Sequence, residues 1–109
     1  YVATGAINGV TVDFLLDTGA TDVSIPARVA RRIGLEGGRP IPVTTANGVV
    51  TVYQIRLATV ALGNLAQRDV DANINPHMGG DAVLLGMSFL KHLELRQRGE
   101  HLELSAPAG

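Results

Sequence analysis

The sequence predicts an all-β fold that contains one or two short helices. Its 13 glycines, 5 prolines and aromatic content of only 4% favour strands of β-branched and small residues joined by tight turns. Several segments alternate apolar and polar residues, as strands with one buried face do. Asn-Gly occurs twice between apolar runs, at Asn8-Gly9 and Asn47-Gly48, and it is the preferred sequence of a two-residue hairpin turn.

The first half of the chain is predicted to contain a hairpin, a short strand and a helix. The hairpin strands are Val2–Ile7 and Val10–Leu16, and a short extended segment follows at Val23–Ile25. A helix is predicted over Pro26–Ile33, because Pro26 suits the first helical position and Gly34 suits a left-handed C-terminal cap.

The second half is predicted to be β-rich, with one further short helix. Its predicted elements are strands at Ile41–Ala46, Val49–Leu62, around Val70–Ile74 and at Ala82–Leu85, helical turns at Met87–His92, and a closing hairpin of Leu93–Arg96 and His101–Leu104. An apolar strand, a glycine-containing turn and a short helix therefore occur twice, and only the first copy carries an acid. We expect residues 1–109 to form one domain, excised from a longer chain because it begins with Tyr and not Met.

Composition and motifs exclude several classes of function. The net charge is −1 at pH 7 and the basic residues are scattered, so no nucleic-acid surface is predicted. Arg28 and Arg32 lie four residues apart and predict one solvated helix face. The absence of cysteine excludes disulfides, thiolate chemistry and Cys-based zinc sites. No apolar run reaches the roughly 18–20 residues that cross a membrane, and no serine lies in a Gly-x-Ser-x-Gly elbow.

Asp17 is the residue whose setting most strongly indicates chemistry. It follows the apolar run Phe14–Leu16, so its carboxylate is predicted at the end of a buried strand, where an acid is costly unless it is hydrogen-bonded or functional. Gly19 lets the backbone approach and donate to the carboxylate, and Thr18 adds a hydroxyl. By itself, however, Asp-Thr-Gly is more simply interpreted as a turn aspartate that bonds its own loop.

The surroundings of this tripeptide resemble the catalytic loop of aspartic proteases. In Leu15–Thr21, apolar residues precede Asp-Thr-Gly and Ala20 follows it, as in that family. Downstream, Leu84-Leu85-Gly86 and the short helix after it resemble the second signature, which packs behind the catalytic loop. The Asn47-Gly48 hairpin lies between the two motifs, where retropepsins carry their flap. Over most of its length the chain looks like the bacterial retropepsin-like branch.

The sequence also departs from the retroviral pattern. Thr21 stands where retroviral enzymes commonly carry Asp or a similar polar residue, and Met87 stands where they carry a polar or basic one. The predicted flap tip is not glycine-rich, and a closing hairpin replaces the short terminal strand that interleaves in retroviral dimers. We therefore expect the dimer interface to be built differently from the viral one.

The resemblance implies an acid-protease half, a closed retropepsin-like β-barrel that acts as a homodimer on peptide or protein substrates without a cofactor. Each copy would supply Asp17, and two carboxyls about 3 Å apart would share one proton. Thr18 and Gly19 would complete the catalytic loop. The residues implied to bind substrate are Ala20, Ala46, Asn47, Gly48 and Val49, and those implied to support the catalytic loop are Leu84, Leu85 and Gly86.

Two alternative functions stay open at this point. One is a non-catalytic retropepsin-like module that dimerises or binds peptides, because a fold survives without activity. The other is metal chemistry at His77, His92 and His101, although their spacing matches no compact zinc motif and we predict no metal site.

By resemblance alone we expect a periplasmic domain, with any membrane contact made through an N-terminal anchor outside this sequence.

Overall fold

The computed structural model describes residues 1–107, which form nine strands and two helices. The strands are β1 Val2–Ile7, β2 Val10–Leu16, β3 Val23–Pro26, β4 Arg39–Thr45, β5 Gly48–Leu62, β6 Leu65–Asn75, β7 Ala82–Leu85, β8 Glu94–Arg98 and β9 His101–Ser105, and the helices are α1 Ala27–Ile33 and α2 Met87–Leu90. The predicted all-β fold with short helices is confirmed.

Six of these strands close into a barrel. Their order is β1-β2-β7-β3-β6-β5, and β5 pairs back with β1 through Ala6 opposite Ala61 and Ile7 opposite Val60. Gly5 permits this closure, because a side chain there would strike the Ala61 carbonyl oxygen and lie 2.8 Å from the Phe14 ring. The closed barrel implied by the resemblance is therefore confirmed.

The two copies of the strand–turn–helix pattern lie side by side. Strands β2 and β7 pair in parallel, with Phe14 opposite Val83 and Leu16 opposite Leu85. Phe14, Val83 and Leu85 are fully buried, as expected for a parallel pair covered on the core side. Parallel strands end at the same edge of a sheet, so the loop after β2 and the helix after β7 meet there.

Both helices pack onto the core of the barrel. Helix α1 buries Val29 and Ala30, and α2 buries Phe89 and Leu90. Phe89 and Phe14 are the largest fully buried side chains, and aliphatic residues supply the rest of the core. Helix α2, the shorter of the two, is therefore held in place by its buried face and not by its intrinsic helical stability.

The helix boundaries differ from the prediction at two points. Pro26 was predicted as the first helical residue, but it ends β3 and is the N-cap, with ψ of 142°. Its pairing with Asn75 of β6 keeps it in the sheet. The predicted cap at Gly34 is confirmed by its φ of 87°, and α2 ends at Leu90 and not at His92. Within residues 1–107, no helix is long and apolar enough to span a bilayer.

The two Asn-Gly sequences form different turns. Both residues of Asn8-Gly9 have positive φ, 50° and 82°, so this is the predicted hairpin turn. In the second hairpin Thr45 pairs with Gly48 and the turn residues are Ala46-Asn47. The prediction of an Asn47-Gly48 turn is therefore wrong by one position. Positive φ, 115°, falls on Gly48 alone, which opens β5, and the Thr45 hydroxyl accepts from the Asn47 N–H and donates to the Gly48 carbonyl.

Strand β4 forms the free edge of the sheet beyond β5. It carries Pro40 and Pro42, which cannot donate hydrogen bonds to a neighbouring strand and are tolerated mainly at edges. An edge of this kind resists pairing with the edge of another molecule. The last two strands, β8 and β9, confirm the predicted closing hairpin and form a separate two-stranded sheet.

Candidate active site

Asp17 follows directly on the end of β2, and both of its backbone polar groups are bonded. Its N–H donates to the Leu85 carbonyl over 3.1 Å, and its own carbonyl accepts from the Ala20 N–H over 3.1 Å. The first bond continues the parallel β2–β7 ladder by one residue, and the second closes a tight turn. The Asp17 backbone is thus positioned by the barrel itself.

The Asp17 side chain is half-buried and is held by its own loop. The Gly19 N–H donates to Asp17 Oδ1 over 2.9 Å, which is a charge-assisted bond when the carboxylate is ionised. A Cβ at position 19 would lie 3.2 Å from that oxygen, so glycine allows this close approach. Among residues 1–107 this is the only hydrogen bond to the carboxylate, and its second oxygen remains available to another group.

The loop is also bonded to the start of α2. The Met87 N–H donates to the Ala20 carbonyl and the Ser88 N–H donates to the Thr21 carbonyl, each over 2.8 Å. The first N–H groups of a helix have no partner inside the helix, so the loop satisfies donors that would otherwise be unpaired. The first of these bonds uses the Ala20 carbonyl, and the Ala20 N–H donates to the Asp17 carbonyl, so the methyl group is the part of Ala20 left to contact a substrate.

Gly86 is the point of closest approach between β7 and the loop. A Cβ there would strike the Asp22 carbonyl oxygen and lie 2.7 Å from the Ala20 carbonyl oxygen. Before it, Leu85 is fully buried, and Leu84 pairs with Leu15 of β2. Structurally, Leu84, Leu85 and Gly86 therefore lie directly behind the loop that carries Asp17.

Sequence reasoning did not single out Ser88. Its hydroxyl donates to the Asp71 carbonyl over 2.8 Å, so α2 is tied to β6 as well as to the loop. Asp71 in turn forms an ion pair with Arg56, with 3.3 Å between Nε and Oδ1. No local pattern could have indicated this link, because it joins elements that meet only after the barrel closes.

Asp22, at the end of the same loop, is a second half-buried acid. Burial and then the nearby Asp71 carboxylate raise the pKa of Asp22 above the ordinary aspartate value of 3.8, and the Lys91 ammonium partly offsets them. The folded protein therefore binds this proton more tightly than the unfolded chain does. Its contribution to stability is complete below the unfolded pKa and is lost as pH rises through the raised pKa.

We expect Asp22→Asn to stabilise the protein increasingly as pH rises, because the amide removes a carboxylate that the fold disfavours. Urea unfolding of both proteins at about pH 4 and about pH 7 should show a larger advantage of the variant at the higher pH. Asp69→Asn is the matched control, because Asp69 is exposed and asparagine tolerates its positive φ. An advantage of Asp22→Asn that did not grow with pH would contradict the assignment.

A pocket of about 440 Å³ opens beside the Asp17 carboxylate. Asp17 and Thr18 line it together with Tyr1, Leu16 and three residues of the closing hairpin, Leu95, Gln97 and Leu102. The Leu16 N–H donates to the Tyr1 carbonyl over 2.9 Å, which fixes Tyr1 beside the loop. Most of the wall is apolar, and the recess is open to solvent.

The hairpin tip of β4 and β5 does not line this pocket. Ala46, Asn47, Gly48 and Val49 are all exposed, and Val49 is 69% exposed. The structure therefore brings Asp17, Thr18, Gly19 and Ala20 together with Leu84, Leu85 and Gly86, and it leaves the four tip residues apart from them.

The histidines do not form a metal site in the part of the chain that the structure describes. His77 lies in the loop after β6, His92 follows α2, and His101 begins β9. Across residues 1–107, no group of three or more His, Cys, Asp or Glu side chains comes close enough to hold an ion.

Comparison with known proteins agrees with the geometry of the loop and barrel. Residues 3–92 match the family model described as "gag-polyprotein putative aspartyl protease". An uncharacterised Sinorhizobium sp. protein from the cobV 5′ region is 32% identical over 108 residues, which cover 95% of this chain and 46% of that protein. Rickettsia prowazekii (strain Madrid E) protein RP867, also uncharacterised, is 29% identical over 86% of this chain and 41% of its own length. The chain thus spans slightly under half of these relatives.

Solved structures share the fold. A retropepsin-like aspartic protease from Rickettsia conorii superposes with a TM-score of 0.79 at 24% identity, covering 96% of this chain and 88% of that one. EIAV protease in complex with the inhibitor HBY-793 superposes with a TM-score of 0.67 at 18% identity, covering 84% and 85%. The chain belongs to the gag-polyprotein aspartyl protease family and has the retropepsin-like fold.

Proposed function

We propose that this chain is one half of an aspartic endopeptidase, in which a water molecule is activated between the Asp17 carboxylates of two copies. One observation carries the proposal. The Asp17 N–H is bonded to β7, its loop is bonded to α2, and one carboxylate oxygen is bonded to the Gly19 N–H, yet the second oxygen is unbonded within residues 1–107 and Asp17 lines an open pocket. A purely structural turn aspartate needs no pocket beside it.

The second carboxylate has to come from another chain. The other aspartates have different surroundings: Asp13 accepts from the Thr4 hydroxyl, Asp71 pairs with Arg56, Asp81 pairs with Arg28, Asp69 is exposed, and Asp22 belongs to the same loop but lies near Asp71. None of them lines the pocket of Asp17. A two-fold axis near Asp17 would place it beside its own symmetry mate.

Two such carboxyls would share one proton, because both cannot readily ionise at about 3 Å separation. The ionised one takes a proton from water as the water oxygen attacks the scissile carbonyl carbon. The protonated one donates to the carbonyl oxygen, so a neutral tetrahedral intermediate forms without a bond to the enzyme. As this intermediate collapses, one of its hydroxyl groups gives a proton to the ionised carboxylate, the C–N bond breaks, and the leaving nitrogen takes the proton of the other carboxyl, so the pair again holds one proton.

The neighbouring residues would orient this chemistry. Gly19 holds one oxygen of each carboxylate, and Thr18 would reach across the axis to the partner loop. The hairpin tip Ala46–Val49 would close over an extended peptide, which binds as an added strand and presents alternate side chains to pockets. Because Ala20 has no free backbone group, its contribution would be a methyl contact.

The dependence of turnover on protein concentration tests whether two chains share one active site. Cleavage of a peptide library should be measured at several pH values over a range of protein concentrations, with sedimentation in parallel. Well below the dimer dissociation constant, each tenfold dilution should lower turnover per chain about tenfold. Pepstatin should inhibit cleavage, and a chelator should not. Constant turnover from a monomer would remove the shared site, and peptide binding without cleavage at any pH would indicate a non-catalytic module.

A further inference from the structure

A continuous row of side chains crosses the outer surface of the barrel beside Asp17. Leu15 lies two residues before Asp17 and therefore points to the same side of the strand. Its chain neighbour Phe14 points the other way and is fully buried in the core. Directly opposed residues of paired strands share one face of a sheet, and successive pairings join six strands through Leu15, Leu84, Ser24, Asn73, Gln54 and Arg39. The row is apolar next to Asp17, polar in its middle and positively charged at its far end.

The far end of the row opens into a groove of about 440 Å³ that carries a net positive charge. The groove is lined by Arg39, Gln54, Ile55, Arg56 and Asp71. Arg56 and Asp71 are an ion pair and offset each other. Arg39 donates to the neutral side-chain oxygen of Gln54 over 3.1 Å, and it forms no ion pair within residues 1–107. One guanidinium charge therefore stays uncompensated, and its remaining N–H donors are available to a carboxylate.

The backbone around Arg39 positions this charge. Gly38 has φ of 107°, and a Cβ there would lie 3.0 Å from Ile55 Cγ2, so glycine lets the chain pass close to β5. Pro40 follows Arg39 and restricts it to extended backbone. Arg39 also pairs with Gln54 in the β4–β5 ladder, so both its backbone and its side chain are attached to the same residue.

We propose that Arg39 is a specificity-determining residue, which binds an acidic side chain of the peptide substrate several residues away from the scissile bond. This inference rests on the proposed function. A peptide that is cleaved at Asp17 can continue along the row, because the row lies on the same side of the sheet. Four strand spacings of about 4.8 Å separate Leu84 from Arg39, roughly 19 Å in all, and an extended peptide covers that distance in about six residues.

The occupant follows from charge complementarity. The carboxylate of Asp or Glu matches the planar fork of the Arg39 guanidinium and can accept two parallel hydrogen bonds from it. A lysine or arginine side chain would instead meet the uncompensated positive charge of the groove. The same position should therefore favour acidic side chains and disfavour basic ones.

Cleavage of peptides that carry Glu, Gln or Lys at one position each tests the assignment. The substituted position should be moved from the third to the eighth residue on either side of the scissile bond. At one distal position we expect Glu to give a kcat/KM about fivefold higher than Lys, the range of an exposed ion pair. The difference should lie in KM and not in kcat, because the contact is remote from the reacting atoms. It should shrink as the salt concentration rises.

Variants of Arg39 assign the preference to this residue. Arg39→Gln should abolish it, and Arg39→Glu should reverse it in favour of Lys, which a merely structural role of Arg39 could not do. Arg31→Gln is the matched control, because Arg31 is an exposed arginine of α1 that does not line the groove. We expect this control to keep the preference for Glu.

Binding of the same peptides to Asp17→Asn, measured by fluorescence anisotropy, separates this inference from the proposed function. Cleavage without a distal preference for Glu, or a preference that both Arg39 variants keep, would overturn the inference and leave the proposed function standing. If the unmodified protein cleaved nothing while Asp17→Asn bound the Glu peptides more tightly, and Asp17→Asn/Arg39→Gln did not, the contact would stand on a peptide that is bound but not cut. The proposed function would then be overturned.

Two further outcomes would also be decisive. Binding of inorganic phosphate that depends on Arg39, without any preference among the peptides, would indicate a general anion site and would overturn the inference. Absence of both cleavage and any binding preference would overturn the inference and the proposed function together.

Discussion

Replacing Asp17 by asparagine should lower peptide cleavage by at least about 10³-fold, because the change removes both acid–base groups of the dimer and one group alone contributes about 10²–10⁴-fold. Because both copies carry the change, the dimer keeps no carboxyl group at the site, and asparagine can neither take a proton from water nor donate one as a carboxylic acid does. The fold should survive, because the Gly19 N–H can donate to the asparagine oxygen as it does to Asp17 Oδ1. Cleavage assays and thermal unfolding of the same preparations give both readouts.

Asp13→Asn is the matched control for this change. Asp13 lies on β2, the strand that leads to Asp17, and it is exposed; its carboxylate accepts only from the Thr4 hydroxyl within residues 1–107. We expect cleavage by Asp13→Asn to remain within about twofold of the unmodified protein, as for most surface substitutions. Undiminished cleavage by Asp17→Asn would remove this residue from the mechanism. Unfolding of the variant would show that the carboxylate has a structural role.

Gly86→Ala should be the most disruptive single-methyl change near the site, costing about 3 kcal/mol or more of unfolding free energy. The backbone at Gly86 has φ of −94° and ψ of −169°, which alanine adopts easily, so the penalty is steric. The new methyl group would strike the Asp22 carbonyl oxygen and crowd that of Ala20. The loop and α2 would separate, and the bonds from Met87 and Ser88 would lengthen or break.

Gly79→Ala is the corresponding control. A Cβ at Gly79 has no neighbour within 4 Å, and its φ lies outside the positive range. Chemical denaturation should find Gly79→Ala within about 0.5 kcal/mol of the unmodified protein. For Gly86→Ala we expect reduced stability together with a loss of cleavage at temperatures where the variant is still folded. If Gly86→Ala and Gly79→Ala were equally stable, close packing of the start of α2 against the loop would be contradicted.

Local features of the site were predictable from sequence. The strand that leads to Asp17, the glycine that bonds its carboxylate and the Asn8-Gly9 turn all depend on residues a few positions apart. Period-two alternation and turn chemistry encode such features directly. For the same reason, the left-handed cap at Gly34 was predicted correctly from the residues around it.

The second Asn-Gly sequence shows where local reasoning fails. Asn8-Gly9 and Asn47-Gly48 are the same dipeptide, yet only the first supplies both central residues of its turn. In the longer hairpin the register places Ile41 opposite Val52 and Val43 opposite Val50. With the turn at Asn47-Gly48, Ile41 would instead lie opposite Gln54, so apolar cross-strand pairing along the ladder overrides the preference of the turn.

Adjacent residues are enough to establish that the fold is β-rich, that Asp17 follows an apolar strand, and that the chain carries a single Asp-Thr-Gly. Three further features emerge only in the folded chain: β7 lies parallel to β2, the start of α2 bonds the loop, and the closing hairpin borders the Asp17 pocket. These contacts join residues that are distant along the chain. They form together when the barrel closes and the core packs, so a pattern of neighbouring residues cannot specify them.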